Sequence, residues 1–226
     1  MKYSKIVRAK FIDRPNRFIA HVKLVGETDD NYITVHVKNT GRCKELLLPG
    51  VEVILEDCLE KNPNRKTRYD LIAVKKAGIG WINIDSQAPN QVVKEWLQTK
   101  DYDYVKPEYT YGNSRIDFYM EKGNDKFLME VKGCTLEKER IGYFPDAPTE
   151  RGVKHLRELA KATKAGYKCF IAFVIQMEGI DEVRPNIETH QEFGVALDEA
   201  KSAGVEVLFL KCKVSEDELV IVEKNK

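Results

Sequence analysis

Asp117, Glu130 and Lys132 are the residues of this chain whose types and spacing could do chemistry together. They lie in "SRIDFYMEKGNDKFLMEVKG", residues 114–133, which reads as two alternating strands around Gly123-Asn124, a pair suited to the left-handed backbone of a two-residue hairpin loop. In that hairpin Asp117 opposes Glu130, Arg115 opposes Lys132, Phe118 opposes Met129 and Ile116 opposes Val131. Alternation puts Ile116, Phe118, Met120, Phe127, Met129 and Val131 on one apolar face, and Arg115, Asp117, Glu130 and Lys132 on the other. Directly opposed side chains have Cβ atoms about 5 Å apart, where two carboxylates repel unless a cation compensates them. Mg²⁺ suits such a pair, since it is held by one or two carboxylates with waters and phosphate oxygens. Lys132, beside Glu130, could orient an attacking water or stabilise developing negative charge. The same face serves equally as a solvated hairpin surface on which Asp117 pairs diagonally with Lys132.

The elements that must position this hairpin fall into two groups. Residues 5–79 carry short β-rich runs, "RFIAHVKL", "YITVHVKN", "VEVILEDC" and "YDLIAVKKAG", separated by turn clusters such as "GETDDN" and "EKNPNRK". This spacing predicts a small all-β, OB-fold-like barrel over 1–80, with one helical turn at "GRCKELLL". Residues 81–226 read as α/β. A helix at "PNQVVKEWLQTK" has Asn90 as N-cap and Val92, Val93, Trp96 and Leu97 on one face. Strands "EYTYG", "SRIDFYM" and "KFLMEVKG" follow. A second helix has Thr149 as N-cap, Val153, Leu156, Leu159 and Ala160 facing inward, and Gly166 as its stop. The almost wholly apolar "CFIAFVIQ" predicts a strand buried on both faces, "HQEFGVALDEAKSAG" a third helix and "VEVLFLKC" another buried strand. Strand, helix and strand in this order make part of the sheet parallel.

Composition narrows the class. Of 226 residues, 42% are hydrophobic and 32% charged, as in ordinary globular proteins. The N-terminus is charged from Lys2, and no run is long enough to span a membrane. Cys43, Cys58, Cys134, Cys169 and Cys212 are scattered without a CxxC pair, which predicts a reducing cytoplasm and neither a disulfide framework nor a zinc site. The net charge of +1 hides an asymmetry: residues 1–80 balance to +6 and residues 81–226 to −5. A basic module joined to an acidic one suits a polyanion partner on the first and cations on the second. In the first module Arg14, Arg17 and Phe18, then Lys38, Arg42 and Lys44, supply the charges and aromatic surface of strand-tracking nucleic-acid binding through backbone contacts.

Asp117, then twelve residues, then Glu130-Val131-Lys132, following a helix that carries Glu95, resembles the D…(D/E)xK pattern of the PD-(D/E)XK nuclease superfamily. More specific are "NTGR" at 39–42, "PNQVV" at 89–93, "SRIDF" at 114–118, "EVKGCTL" at 130–136 and "FPDAPTERGVKHLREL" at 144–159. In this order and across essentially the whole chain they closely resemble the sugar fermentation stimulation protein A family, described as non-specific DNA-binding proteins that pair an OB-like domain with a nuclease-like one. Many relatives read "HCPNTG" where this chain has "HVKNTG", so no role of that Cys-Pro pair carries over to Val37 and Lys38.

The resemblance implies that residues 81–226 form a mixed-sheet, PD-(D/E)XK nuclease-like α/β domain. In it Asp117 and Glu130 would bind Mg²⁺ or Mn²⁺, and Lys132 would be the catalytic lysine. Glu95 is a candidate upstream acid and equally a solvated helix residue. Arg151 and His155, four apart on one helical face, are candidates for phosphate contacts, with a salt bridge for Arg151 and a structural role for His155 as the alternatives. Gln176 ends a buried strand and either points into the site or, as the favoured reading, is a capped edge residue, and Asp146 shapes the loop ahead of the second helix. The expected partner is DNA, with RNA open to the same backbone contacts, and a homodimer and a monomer are both compatible. Function is then largely sequence-independent DNA binding with a metal-dependent nuclease site. The alternative is a non-catalytic DNA-binding regulator of sugar (maltose) metabolism genes that retains the nuclease fold.

Overall fold

The computed structural model describes residues 1–26, 31–39, 41–60 and 63–222; residues 27–30 of the expected turn cluster "GETDDN", residues 61–62 of "EKNPNRK" and Thr40 of "NTGR" lie outside the described residues. Six strands open the chain: β1 (Ile6–Asn16), β2 (Ile19–Leu24), β3 (Ile33–Val37), β4 (Glu52–Asp57), β5 (Tyr69–Lys76) and β6 (Gly80–Asn83). Their order is β3-β2-β1-β4-β5-β6, and a parallel β3–β5 pairing, His36↔Asp70 and Val37↔Leu71, closes β1–β5 into a five-stranded barrel. The "GRCKELLL" segment makes a single turn, with the amides of Leu46 and Leu47 both donating to the Cys43 carbonyl.

A mixed α/β layer follows. It contains α1 (Ala88–Leu97), β7 (Tyr104–Tyr111), β8 (Ser114–Lys122), β9 (Asp125–Cys134), β10 (Leu136–Lys138), β11 (Ile141–Phe144), α2 (Glu150–Lys164), β12 (Lys168–Ile175), β13 (Val183–Pro185), α3 (Ile187–Ser202), β14 (Glu206–Val214) and β15 (Leu219–Ile221). The main sheet runs β15-β14-β12-β9-β8-β7, parallel through β9, β12 and β14 and antiparallel at both edges. A small β10-β11-β13 sheet lies beside it. Val92, Val93 and Leu97 of α1 pack on one face with Phe118, Met120, Met129 and Val131. Val153, Leu156 and Leu159 of α2 and Phe193 and Ala196 of α3 cover the other face, in an apolar cluster that continues into the barrel interior through Val22, Val35 and Leu71.

Residues 1–3 cross from the barrel to the far edge of this sheet. The Met1 amino group donates to the Leu219 carbonyl, the Leu219 amide donates to the Met1 carbonyl, and the Tyr3 amide donates to the Asp217 carbonyl.

Thr149 caps α2 as expected, its hydroxyl accepting from the Gly152 amide at 3.0 Å, and Gly166 follows the helix at φ +91°. Three local expectations are corrected. Asn90 lies inside α1, because Pro89 fits the first helical turn and the Asp85 carboxylate already accepts from the Gln87 amide at 2.9 Å. At the hairpin turn Gly123 alone has positive φ, at +58°. The strand β14 is half-exposed, with Phe209 at the surface, because only the short β15 lies beyond it. Among the described residues no helix is long and apolar enough to cross a membrane.

Candidate active site

The predicted hairpin register holds from Lys122↔Asp125 inward to Phe118↔Met129 and stops there. One residue further, the regular pairing on the other side of β8 also skips a position, Glu108 against Asp117, with Glu108 at φ +54°. The alternation of β8 slips by one residue at this point. Ile116 and Tyr119, which a regular strand would send to opposite faces, both join the core under α2. The expected pairs Asp117–Glu130, Ile116–Val131 and Arg115–Lys132 are therefore not made as ladder pairs, and Ile116 leaves the apolar face it was assigned. Its place in the ladder is taken by a side chain: Asp117 Oδ2 accepts from the Val131 amide at 2.8 Å. Asp117 Oδ1 accepts from Asn90 Nδ2 of α1, also at 2.8 Å.

Glu130 is 2% exposed. Its Oε1 receives Lys132 Nζ and His155 Nδ1 of α2, while its buried Oε2 has no hydrogen-bond partner among the described residues. Arg151 Nε donates to His155 Nε2 at 3.4 Å, so Nδ1 is the ring nitrogen that carries the proton toward Glu130. Burial pushes the Glu130 carboxyl up, but Lys132 and His155 outweigh it and hold the group below the usual carboxylate range. Asp117 goes the other way: burial first, and the neighbouring Glu130 charge second, raise it against the help of Lys132, the Val131 amide and Asn90. The two acids, one stabilised as an anion and one reluctant to ionise, share a site with one ammonium.

Behind them the fold is tightly fitted. A Cβ on Gly133 would lie 2.7 Å from Pro89 Cγ and would also strike Gln176 Oε1. Gln176 is buried, and its amide donates to the Asn83 carbonyl at 3.0 Å and the Asp85 carbonyl at 3.2 Å, locking the end of β12 to the end of the barrel. Asp146 acts across the same seam, its Oδ2 accepting from the Cys43 amide at 2.8 Å.

The other candidates are dispersed. The Glu95 carboxylate holds the Met1 amino group at 2.7 Å and Gln91 Nε2 at 2.9 Å; Asn90, one turn earlier, is the α1 residue that reaches Asp117. Arg14 spreads its guanidinium over four carbonyls, those of Arg17, Asn39, Gly41 and Arg42, and so holds these backbone groups in place. Lys38 pairs with buried Asp85 at 2.7 Å. Arg17, Arg42 and Lys44 are exposed and line one cavity of about 770 Å³ on the barrel, with Arg17 stacked over the half-exposed ring of Phe18. The pattern of residue types did not single out Asn90 or Asp85 for these roles. A Pro-Asn pair opening the helix that precedes the acidic hairpin was the available signal.

The barrel holds a second buried acidic group. Ligand atoms of Glu56, Cys58 and Asp70 lie within 4.8 Å of one another, but Arg65 forks onto both oxygens of Asp70, and His36 Nδ1 lies 3.0 Å from it. Burial pushes Asp70 up, but Arg65 and His36 outweigh it and lower the carboxyl. Burial, then Asp70 and Glu56, push the Cys58 thiol up to about 11.

This arrangement can be set beside known proteins. Residues 12–84 match the SfsA N-terminal OB domain, and residues 87–218 match the sugar fermentation stimulation protein RE domain. A sugar fermentation stimulation protein homolog of Desulfitobacterium hafniense (strain DSM 10664 / DCB-2) is 51% identical over 222 residues, covering 97% of this chain and 94% of the relative. One from Clostridium beijerinckii is 52% identical over 225 residues, covering 98% and 96%. The solved structure of Pyrococcus furiosus SfsA in complex with Ca²⁺ superposes with a TM-score of 0.82 at 25% identity, over 99% of this chain and 98% of that one. With both halves matched in order and half of all positions shared with relatives along nearly their whole length, the chain belongs to the sugar fermentation stimulation protein family.

Proposed function

We propose that this chain is a DNA-binding protein, largely indifferent to sequence, whose α/β half is a PD-(D/E)XK nuclease-like domain hydrolysing phosphodiesters with Mg²⁺ or Mn²⁺. The observation that carries the reading is Glu130 Oε2, buried and unpartnered beside a second carboxylate with raised proton affinity. The donor set fits a hard divalent cation: carboxylate oxygens of Asp117 and Glu130, while the His155 imidazole donates its Nδ1 proton to Glu130 and so offers no lone pair there. The P. furiosus relative described in complex with Ca²⁺ supports an oxygen-ligand site, since Ca²⁺ and Mg²⁺ share that preference.

A bound cation would supply Lewis-acid polarisation of the phosphodiester and a more acidic attacking water. The chain's own residues do the rest. Asn90 and the Val131 amide fix the Asp117 carboxylate, and His155 fixes the orientation of Glu130. Lys132, half-buried beside Glu130, holds positive charge where a phosphate would gain negative charge. Arg17, Arg42 and Lys44 offer backbone-tracking charge on the barrel.

A second reading, a non-catalytic DNA-binding regulator that keeps the nuclease fold, is favoured by one observation: Lys132 already neutralises Glu130 within the chain. Thermal melts and plasmid cleavage with Mg²⁺, Mn²⁺ or EDTA separate the two. The nuclease reading expects metal to raise Tm and to switch on cleavage, and expects Asp117→Asn to abolish both effects. A wild-type Tm indifferent to millimolar Mn²⁺ would remove the metal site and the nuclease with it.

A further inference from the structure

Ser114 opens β8 with its hydroxyl buried and unpartnered: the residue is 6% exposed, and Oγ has no hydrogen bond among the described residues. A buried hydroxyl in that state costs stability unless something supplies its partner. Ser114 lines a cavity of about 480 Å³ between the β7–β8 turn and the first two turns of α2, together with Asn113, Arg115, Glu150, Arg151, Lys154 and His155.

Three cations surround this cavity against one carboxylate. Lys154 Nζ is held over it by donating to the Asn113 carbonyl at 2.7 Å, which leaves its other protons free to donate elsewhere. Among the described residues Arg115 makes only a long, exposed ion pair, with Glu108 at 3.5 Å, worth little in water. Arg151 uses Nε on His155, and its two Nη groups have no partner among the described residues. The acid, Glu150, is largely exposed and lies 3.2 Å from His190 Nε2. A neutral ligand would leave three positive charges crowded together, whereas a tetrahedral dianion or a phosphodiester oxygen pair would satisfy them and the orphaned hydroxyl together.

We infer that this cavity is a phosphate-binding subsite, seating a phosphate of a bound polynucleotide strand beside the reacting one. The inference rests on the nuclease reading for the identity of its ligand, but not for the site itself, which uses neither Asp117 nor Lys132. Its link to the reacting centre is short: Arg151 donates to His155, and His155 donates to Glu130. A phosphate held on Arg151 thus sets the strand's position relative to Glu130 through two hydrogen bonds.

The test uses inorganic phosphate as probe, with EDTA present throughout so that no metal contributes. Phosphate should raise the Tm of wild type above a chloride control of equal ionic strength. Ser114→Ala should weaken that response about tenfold in apparent affinity, the size expected for one hydrogen bond to a charged group. Because this variant removes a hydroxyl with no partner, its phosphate-free Tm should not fall, which keeps it interpretable. Lys154→Glu should abolish the response, and Lys213→Glu, at an exposed position of β14, should keep it. With a labelled oligonucleotide in EDTA, Lys154→Glu should lower the slope of log K against log salt by about one unit.

A wild type indifferent to phosphate, or Ser114→Ala and Lys154→Glu variants that respond like wild type, would overturn the inference. A phosphate response without oligonucleotide effect would overturn the strand assignment and leave a free-phosphate site. Loss of the nuclease reading shows separately, as absent metal stabilisation in protein that still binds phosphate.

Discussion

In the barrel, Glu56, Cys58 and Asp70 sit buried with His36 and Arg65; in the α/β sheet, Asp117 and Glu130 sit buried or half-buried with His155 and Lys132. The ingredients are nearly the same, and the outcomes differ. Arg65 presents a planar fork that meets both oxygens of Asp70, and the thiol of Cys58 leans on the same carboxylate at 3.5 Å. Lys132 is a point charge that meets only one oxygen of Glu130. Arg65 and His36 outweigh burial and lower Asp70, while burial, and then the neighbouring Glu130 charge, raises Asp117. Buried acids beside a histidine are therefore no sign of chemistry by themselves. What separates the two groups is bonding capacity left over: among the described residues Glu130 Oε2 is buried without a partner, and no side-chain oxygen of the barrel group is.

The sharpest break of this contrast is Lys132→Ala. If Lys132 serves the reaction, cleavage should fall by about 10²–10³-fold while metal-dependent stabilisation survives. Paired melts and cleavage rates check this, and a variant that cleaves like wild type makes Lys132 a structural counter-ion only.

Arg65→Ala should act on folding instead. It strands a buried Asp70 and should cost about 2–3 kcal/mol in urea unfolding, with no change in the response to Mn²⁺. A cost of only a few tenths would mean that the barrel group is less tightly coupled than its hydrogen bonds indicate.

The pH dependence of stability refines the same point. Asp70 has a folded pKa below its unfolded one, so its contribution is fully present above the unfolded carboxylate value and is lost as pH falls through the folded value. Urea midpoints from neutral pH down into the acid range should fall more steeply for wild type than for Asp70→Asn. Parallel curves would remove Asp70 from the acid response.

The smallest expected effect belongs to Glu95, which holds the Met1 amino group at the surface of α1. Glu95→Gln should shift stability by a few tenths of a kcal/mol and leave cleavage unchanged. A large loss of cleavage would return Glu95 to the reacting centre.

Much of the architecture was legible because it depends on local periodicity. The hairpin register out to Lys122↔Asp125, the Thr149 cap and the apolar β12 all follow from alternation, cap chemistry and composition within a dozen residues. The slip at Asp117 was not legible. It needs Asn90 from a helix 27 residues earlier and a left-handed Glu108 across the sheet, neither of which alters the pattern of β8 itself. Asn favours a cap position, but Asp85 and Pro89 start the helix before Asn90 is reached. The three-residue β10, β13 and β15 are too short to carry a period. Arg14 looked like an exposed cation because a guanidinium folded onto its own loop has the same sequence as one facing solvent.

The strap formed by Met1 to Tyr3 changes how the molecule should come apart. Because those residues are paired with Asp217 to Leu219, this early segment ties the barrel to the sheet in addition to the Asp85–Gln87 connector and the Gln176 and Asp146 hydrogen bonds. The chain is thus closed into a loop by hydrogen bonds, and a proteolytic nick at the connector would leave two fragments that travel together through a sizing column under native conditions. Mechanical or thermal stress on one half is then transmitted to the other, and the two halves should melt in a single step instead of one after the other.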